Sequence, residues 1–291
     1  MAVPEFPPSE LDARKIPLSE LGKMFKSPTE EKTGFLEKVL YAGVPTIVIF
    51  IAELLIFGGR LKEATIAYIV LLLAFSFSTA FTKKQDVREI HQAFLLLPIF
   101  RLVNISMPIF LKTNLYSFAF IYAPLLLSVL IAFTHQNTPF ENKRHAIKKL
   151  WIYLPLSLIG GLIFAEVEYF FLETKPLVSD LSPLNLLAFI FIMIFIVALV
   201  EEYIFRGILQ TRLEGFLGPT AGILLASLLF GIMHSGYGNP YEMIFTFFFG
   251  TLLGYYFYKT RSLLFVIMIH GLTNVFLYGI IPHLGSGLGL T

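Results

Sequence analysis

The chain has 291 residues, of which 56% are hydrophobic and 14% charged, with 31 Phe and a net charge of +2; an ordinary soluble domain is roughly a quarter charged. These values exclude a soluble globular domain, a disordered chain, a coiled coil and a disulfide-stapled secreted scaffold, and the balanced charge argues against a nucleic-acid partner. Zero cysteines remove thiol nucleophiles, thiolate metal ligands and disulfides together. An all-α, polytopic integral membrane helix bundle fits what is left.

Residues 1–38 carry seven acids and six bases with no early apolar run, and read as a retained cytosolic or interfacial tail rather than a signal peptide. Ser27-Pro28-Thr29-Glu30 has the form of a capping box, which starts a helix at Pro28. Beyond it, residues 39–281 form the transmembrane region and 282–291 a short C-terminal tail. Apolar runs near the crossing length fall at 39–57, 64–82, 90–111, 115–133, 150–171, 184–205, 220–236, 243–258 and 263–281. The third is interrupted by Pro98, Arg101, Asn104 and Pro108, and pairs with the fourth as an irregular hairpin, so the expected count is eight or nine. With the N-terminal tail cytosolic, 17 of the 22 Lys and Arg fall on the cytosolic side and four opposite, with Arg101 inside a span. That bias orients the N-terminus inside and the C-terminus outside. The basic loop with Lys143, Arg144, Lys148 and Lys149 is placed against anionic headgroups.

A charge at membrane depth costs at least a few kcal/mol, so ionisable residues there are functional candidates. Glu201, Glu202 and Arg206 lie toward the end of the sixth run, His234 toward the end of the seventh, and His270 with Asn274 inside the ninth. Glu202 and Arg206 stand at i,i+4, the favourable orientation for an ion pair. Glu201 is turned about 100° away on a helix of 3.6 residues per turn, which leaves it as the free carboxylate. Phe230 sits one turn before His234 as an apolar wall. Glu201, helped by His234, could take a proton from water, while His270 and Asn274 donate to the oxyanion of a tetrahedral intermediate. The same Glu and two His also describe a zinc site. Arg101 with Asn104, Glu53, and the pair Glu166 and Glu168 read chiefly as packing contacts. Gly250 and Gly254 form a G-x-x-x-G for close helix contact.

Three motifs, E-E-x-x-x-R (Glu201 to Arg206), F-x-x-x-H (Phe230 to His234) and H-x-x-x-N (His270 to Asn274), occur in order on separate apolar runs. Together they resemble those of the CAAX prenyl endopeptidase family, within the wider CAAX protease and bacteriocin-processing group. The resemblance covers a core of about 184–281. It implies a membrane-embedded, glutamate-dependent protease that cleaves near the C-terminus of prenylated proteins, with Glu201 activating water and His234, His270 and Asn274 in activating and oxyanion roles. Glu202, Arg206 and Phe230 take supporting roles. No cofactor is implied; metal dependence is disputed in the family, and metal-independent chemistry is favoured. Partners are a prenylated or other peptide substrate and membrane lipids, with Phe247, Phe248 and Phe249 as walls for an isoprenoid. The expected location is the plasma membrane of a prokaryote or the endoplasmic reticulum of a eukaryote.

Other protease classes are disfavoured by what is missing: H-E-x-x-H, G-x-S-G, and any Asp within the fifth to ninth runs. The alternatives are a non-prenyl peptide-processing or immunity protein of the same group, and a catalytically silent scaffold or transporter. One tension is geometric. His234 lies about 14 residues, or roughly 21 Å, along its run, against about eight residues for His270, so the two meet only through tilt or a short seventh helix.

Overall fold

The computed structural model describes residues 33–106, 115, 119–127, 149–172 and 174–285. The helix start at Pro28, the C-terminal tail beyond 285 and the basic loop except Lys149 lie outside these residues, as do 116–118 and 128–133 of the fourth run. Among the described residues every regular element is a helix. In chain order they are α1 (Phe35–Phe57), α2 (Leu61–Phe81), α3 (Gln85–Ser106), α4 (Leu150–Leu172), α5 (Pro183–Leu217), α6 (Pro219–Ile232), α7 (Pro240–Thr260) and α8 (Leu263–Leu284), with a further helical stretch over 119–127.

Local chemistry sets the boundaries. Pro occupies the first helical position of α5, α6 and α7, where its missing N–H costs nothing. Asn239 caps α7, its side chain accepting from the Tyr241 amide at 3.0 Å. Between α5 and α6 the chain reverses at Gly218, whose φ of 93° lies where a Cβ would be strained.

Among the described residues six helices, namely α1, α2, α4, α5, α6 with its 3-10 extension to Tyr237, and α8, are long and apolar enough to cross a membrane. This is an integral membrane protein. Large apolar side chains such as Trp151, Leu184 and Phe248 are exposed along the bundle, where acyl chains rather than water would meet them. The polar groups turn inward: Glu53, Glu202, Arg206 and Gln210 are buried. α6 packs against α7, α8 against α4 and α5, and α2 against α3.

Three expectations change. The third run forms one continuous helix as far as Ser106, with Pro98, Arg101 and Asn104 inside it, because Arg101 is satisfied by a buried partner instead of breaking the helix; Pro108 lies outside the described residues. The sixth run does not end near 205 but continues to Leu217, so the Glu201 to Arg206 motif sits in the helix interior. Nor is that helix regular, since Met193–Ala198 and Tyr203–Gln210 are π-helical. Such widened turns recur at functional sites because they re-aim side chains without ending the helix.

Candidate active site

α5 carries the two acids and sends them to different partners. Glu202 Oε1 accepts from Arg206 Nη1 at 3.1 Å and from His270 Nδ1 at 2.7 Å. Arg206 also donates Nη2 to the Gly250 carbonyl at 3.2 Å and lies over the Phe230 ring, 4.4 Å from its centroid. This cluster ties α5, α6, α7 and α8 together. Glu201 is turned elsewhere. Its Oε1 accepts the Tyr122 hydroxyl, and its Oε2 lies 3.7 Å from His270 Nε2. The carboxylate of Glu202 can only accept, so the hydrogen on Nδ1 of His270 follows from its partner, and Nε2 is left facing Glu201. The sequence pairs Glu201 with His234 as its helper; the imidazole beside Glu201 is instead that of His270.

His234 reaches the site because α6 is short. The helix ends at Ile232, and the His234 ring turns back so that Nδ1 meets the Phe230 carbonyl at 2.9 Å. A carbonyl cannot donate, so Nδ1 holds a hydrogen and Nε2 is the nitrogen free to engage a ligand. Phe230 lies against both imidazoles, with ring centroids 4.9 Å from His234 and 5.8 Å from His270. The two rings are thus no farther apart than the sum of those distances, and the helix length resolves the depth mismatch.

The turn holding His234 is clamped on both sides. Arg101 makes a two-pronged ion pair with Glu53, Nε and Nη2 each 2.6 Å from a carboxylate oxygen. Nη2 also donates to the Met233 carbonyl, while Ser235 Oγ and the Tyr68 hydroxyl donate to Glu53. Residues just before and after His234 are therefore fixed by a buried pair carried on α1 and α3. Arg101 and Glu53 do serve as packing contacts, and Arg101 and Asn104 additionally line a cavity.

Two adjoining cavities meet at Glu201. One is lined by Glu201, His234, His270 and Asn274 together with Glu168, Glu242 and Phe249. The other, about 170 Å³, runs from Glu201 and His234 to Arg101 and Asn104. On the scale of 10–15 Å³ for one water, that is room for on the order of ten. Of the three Phe proposed as isoprenoid walls, Phe249 lines the first cavity, whereas Phe248 faces outward and Phe247 packs against Gly231.

Sequence reasoning passed over Tyr122, Tyr237, Glu242 and Tyr278, all on the cavity wall, and gave Glu168 a packing role. Glu168 and Glu242 share that wall, and neither carboxylate oxygen of Glu242 has a hydrogen-bond partner among the described residues. Glu242, an acid immediately before the eighth apolar run, was the available signal; the tyrosines gave none, because Tyr is ordinary in a membrane helix.

Among the described residues no three His, Asp or Glu side chains are grouped so as to hold a metal ion. Nδ1 of each imidazole is already engaged.

No curated protein and no solved structure matches the chain. A family model does, over a stretch that opens at the start of α5, runs through all three motifs and closes just past Asn274. Residues 183–276 match the model described as type II CAAX prenyl endopeptidase Rce1-like, a protease family.

Proposed function

We propose that this chain is an intramembrane endopeptidase that hydrolyses a peptide bond near the C-terminus of a prenylated CAAX-type protein. The observation that carries the reading is the division of labour between adjacent acids. Glu202 is consumed by Arg206 and His270, whereas Glu201 lines the cavity. Glu201 takes a proton from water, and the water oxygen attacks the scissile carbonyl carbon. His234 Nε2 accepts the second water hydrogen and orients the nucleophile. The developing oxyanion receives hydrogen bonds from the Asn274 amide and from His270 in its doubly protonated form, whose Nδ1–H stays on Glu202. Glu201 then passes its proton to the amide nitrogen as the C–N bond breaks, giving a new carboxylate and a free amine.

The Lys and Arg bias supports a cytosolic opening of the cavity, and Phe249 supplies apolar wall beside His270. A farnesyl group packed in the bundle would contribute about 0.8 kcal/mol per buried CH₂. The test is incubation of the purified protein with a farnesylated C-a-a-X peptide and its unprenylated twin. The expected result is release of the last three residues by wild type, preferentially from the farnesylated peptide, and no release by Glu201→Gln. Equal cleavage of both peptides would favour the non-prenyl reading, and no cleavage of either would favour the silent scaffold.

A further inference from the structure

Neither cavity wall offers a cation near Glu201 except at one place. The first cavity is lined by acids, imidazoles, tyrosines and apolar groups, and the second adds Arg101. Arg206 is committed to Glu202 and Gly250 on the far side of Phe230. Arg101 spends only part of its fork. Nε and Nη2 are taken by Glu53 and the Met233 carbonyl, while no hydrogen bond engages Nη1 among the described residues and Arg101 lines the cavity. Asn104 follows Arg101 by three residues on α3, so both stand on one face of the helix. It lines the same cavity, and its amide has no partner among the described residues. Two unspent N–H donor groups therefore stand on one helix face in the wall of the cavity that Glu201 also lines, with the guanidinium held by its ion pair.

The geometry points to Arg101 and Asn104 as the docking site for the free C-terminal carboxylate of the peptide substrate. This rests on the endopeptidase reading above and adds how the cut is placed. A carboxylate is an anion with lone pairs that match a guanidinium edge and an amide. It would be repelled by the Glu201 carboxylate, so its best position is at Arg101. Three extended residues span about 10 Å from scissile carbonyl to C-terminus. Anchoring the terminus at Arg101 while Glu201 works on the carbonyl fixes how many residues leave. Glu53 and Tyr68 are then positioning residues, holding the guanidinium with Nη1 outward.

The experiment needs no variant at first. Wild-type protein is given one farnesylated peptide as the free acid and as the C-terminal amide, and a third peptide lengthened by one residue after the scissile bond. The expected result is a KM at least tenfold higher for the amide with little change in kcat, because the lost interaction is uniform binding, and poor cleavage of the longer peptide. Asn104→Ala should raise KM for the acid several-fold and that for the amide by less. Acid and amide cleaved with the same KM would overturn the docking site while leaving the endopeptidase reading intact. Failure to cleave any peptide would overturn both.

Discussion

At the scale of single residues, the neighbours Glu201 and Glu202 have different work because their partners differ. Glu202 is wholly buried, with Oε1 shared between Arg206 and His270. Removing its charge leaves Arg206 buried and uncompensated, and breaking such a pair costs about 3–5 kcal/mol. Glu202→Gln should therefore lower the thermal midpoint in detergent sharply and reduce cleavage as His270 loses its orientation. Glu201→Gln keeps an acceptor for the Tyr122 hydroxyl, so it should unfold near the wild-type temperature yet lose about 10²–10⁴ in turnover, the usual contribution of a general base. Similar melting and similar activity in the two variants would contradict this division. The i,i+4 spacing made the Glu202 to Arg206 pair legible in the sequence. The His270 contact was not, since it joins residues 68 apart.

At the scale of elements, close approach decides what α6 and α7 tolerate. A Cβ on Gly231 would lie 2.8 Å from the Met243 carbonyl oxygen and from the Phe247 nitrogen, backbone that cannot move aside. Gly231→Ala should cost about 1–3 kcal/mol by overpacking. Gly236→Ala, with nothing within 4 Å of its Cβ, should fall within about 0.5 kcal/mol of wild type; thermal melts of the two in the same detergent make the comparison. The turn leading into α5 offers a pH test. Hydrogen bonds from Ser182, first its side chain and then its backbone amide, followed by Asn185 and Ser179, hold the Asp180 carboxyl down at about 2, from an ordinary 3.8. A depressed carboxyl stabilises the turn fully above its ordinary value and loses that effect as pH falls through about 2. An NMR titration of Asp180 should show that midpoint, with the Ser182 amide shift following it, and a midpoint near 3.8 would mean the turn does not hold the charge.

At the scale of the whole molecule, the site is not confined to the matched segment. Glu53, Arg101 and Tyr122 lie outside 183–276, yet they fix the His234 turn and bond to Glu201. Glu53→Ala leaves Arg101 buried without its carboxylate, at about 3–5 kcal/mol, frees Ser235, and loosens the guanidinium that holds the Met233 carbonyl. Cleavage should fall although no residue of the three motifs has changed, and a double-mutant cycle with Ser235→Ala should show coupling. Full activity in a stably folded Glu53→Ala protein would separate the ion pair from the site.

The sequence by itself determined the helical membrane class and the polar positions that matter, because hydropathy and helical spacing are local properties that do not depend on how helices pack. Glu201, Glu202, Arg206, His234, His270 and Asn274 stood out as polar groups in apolar runs. Only the tertiary structure decided which of them touch. It placed His270 rather than His234 beside Glu201, joined Glu53 to Arg101 across 48 residues, and brought Tyr122, Glu168 and Glu242 to the cavity wall. It also widened α5 into π-turns and carried it to Leu217. A charge in an apolar run announces that it needs a partner. Which partner it finds is set by the packing of several helices at once, through contacts distant in the chain.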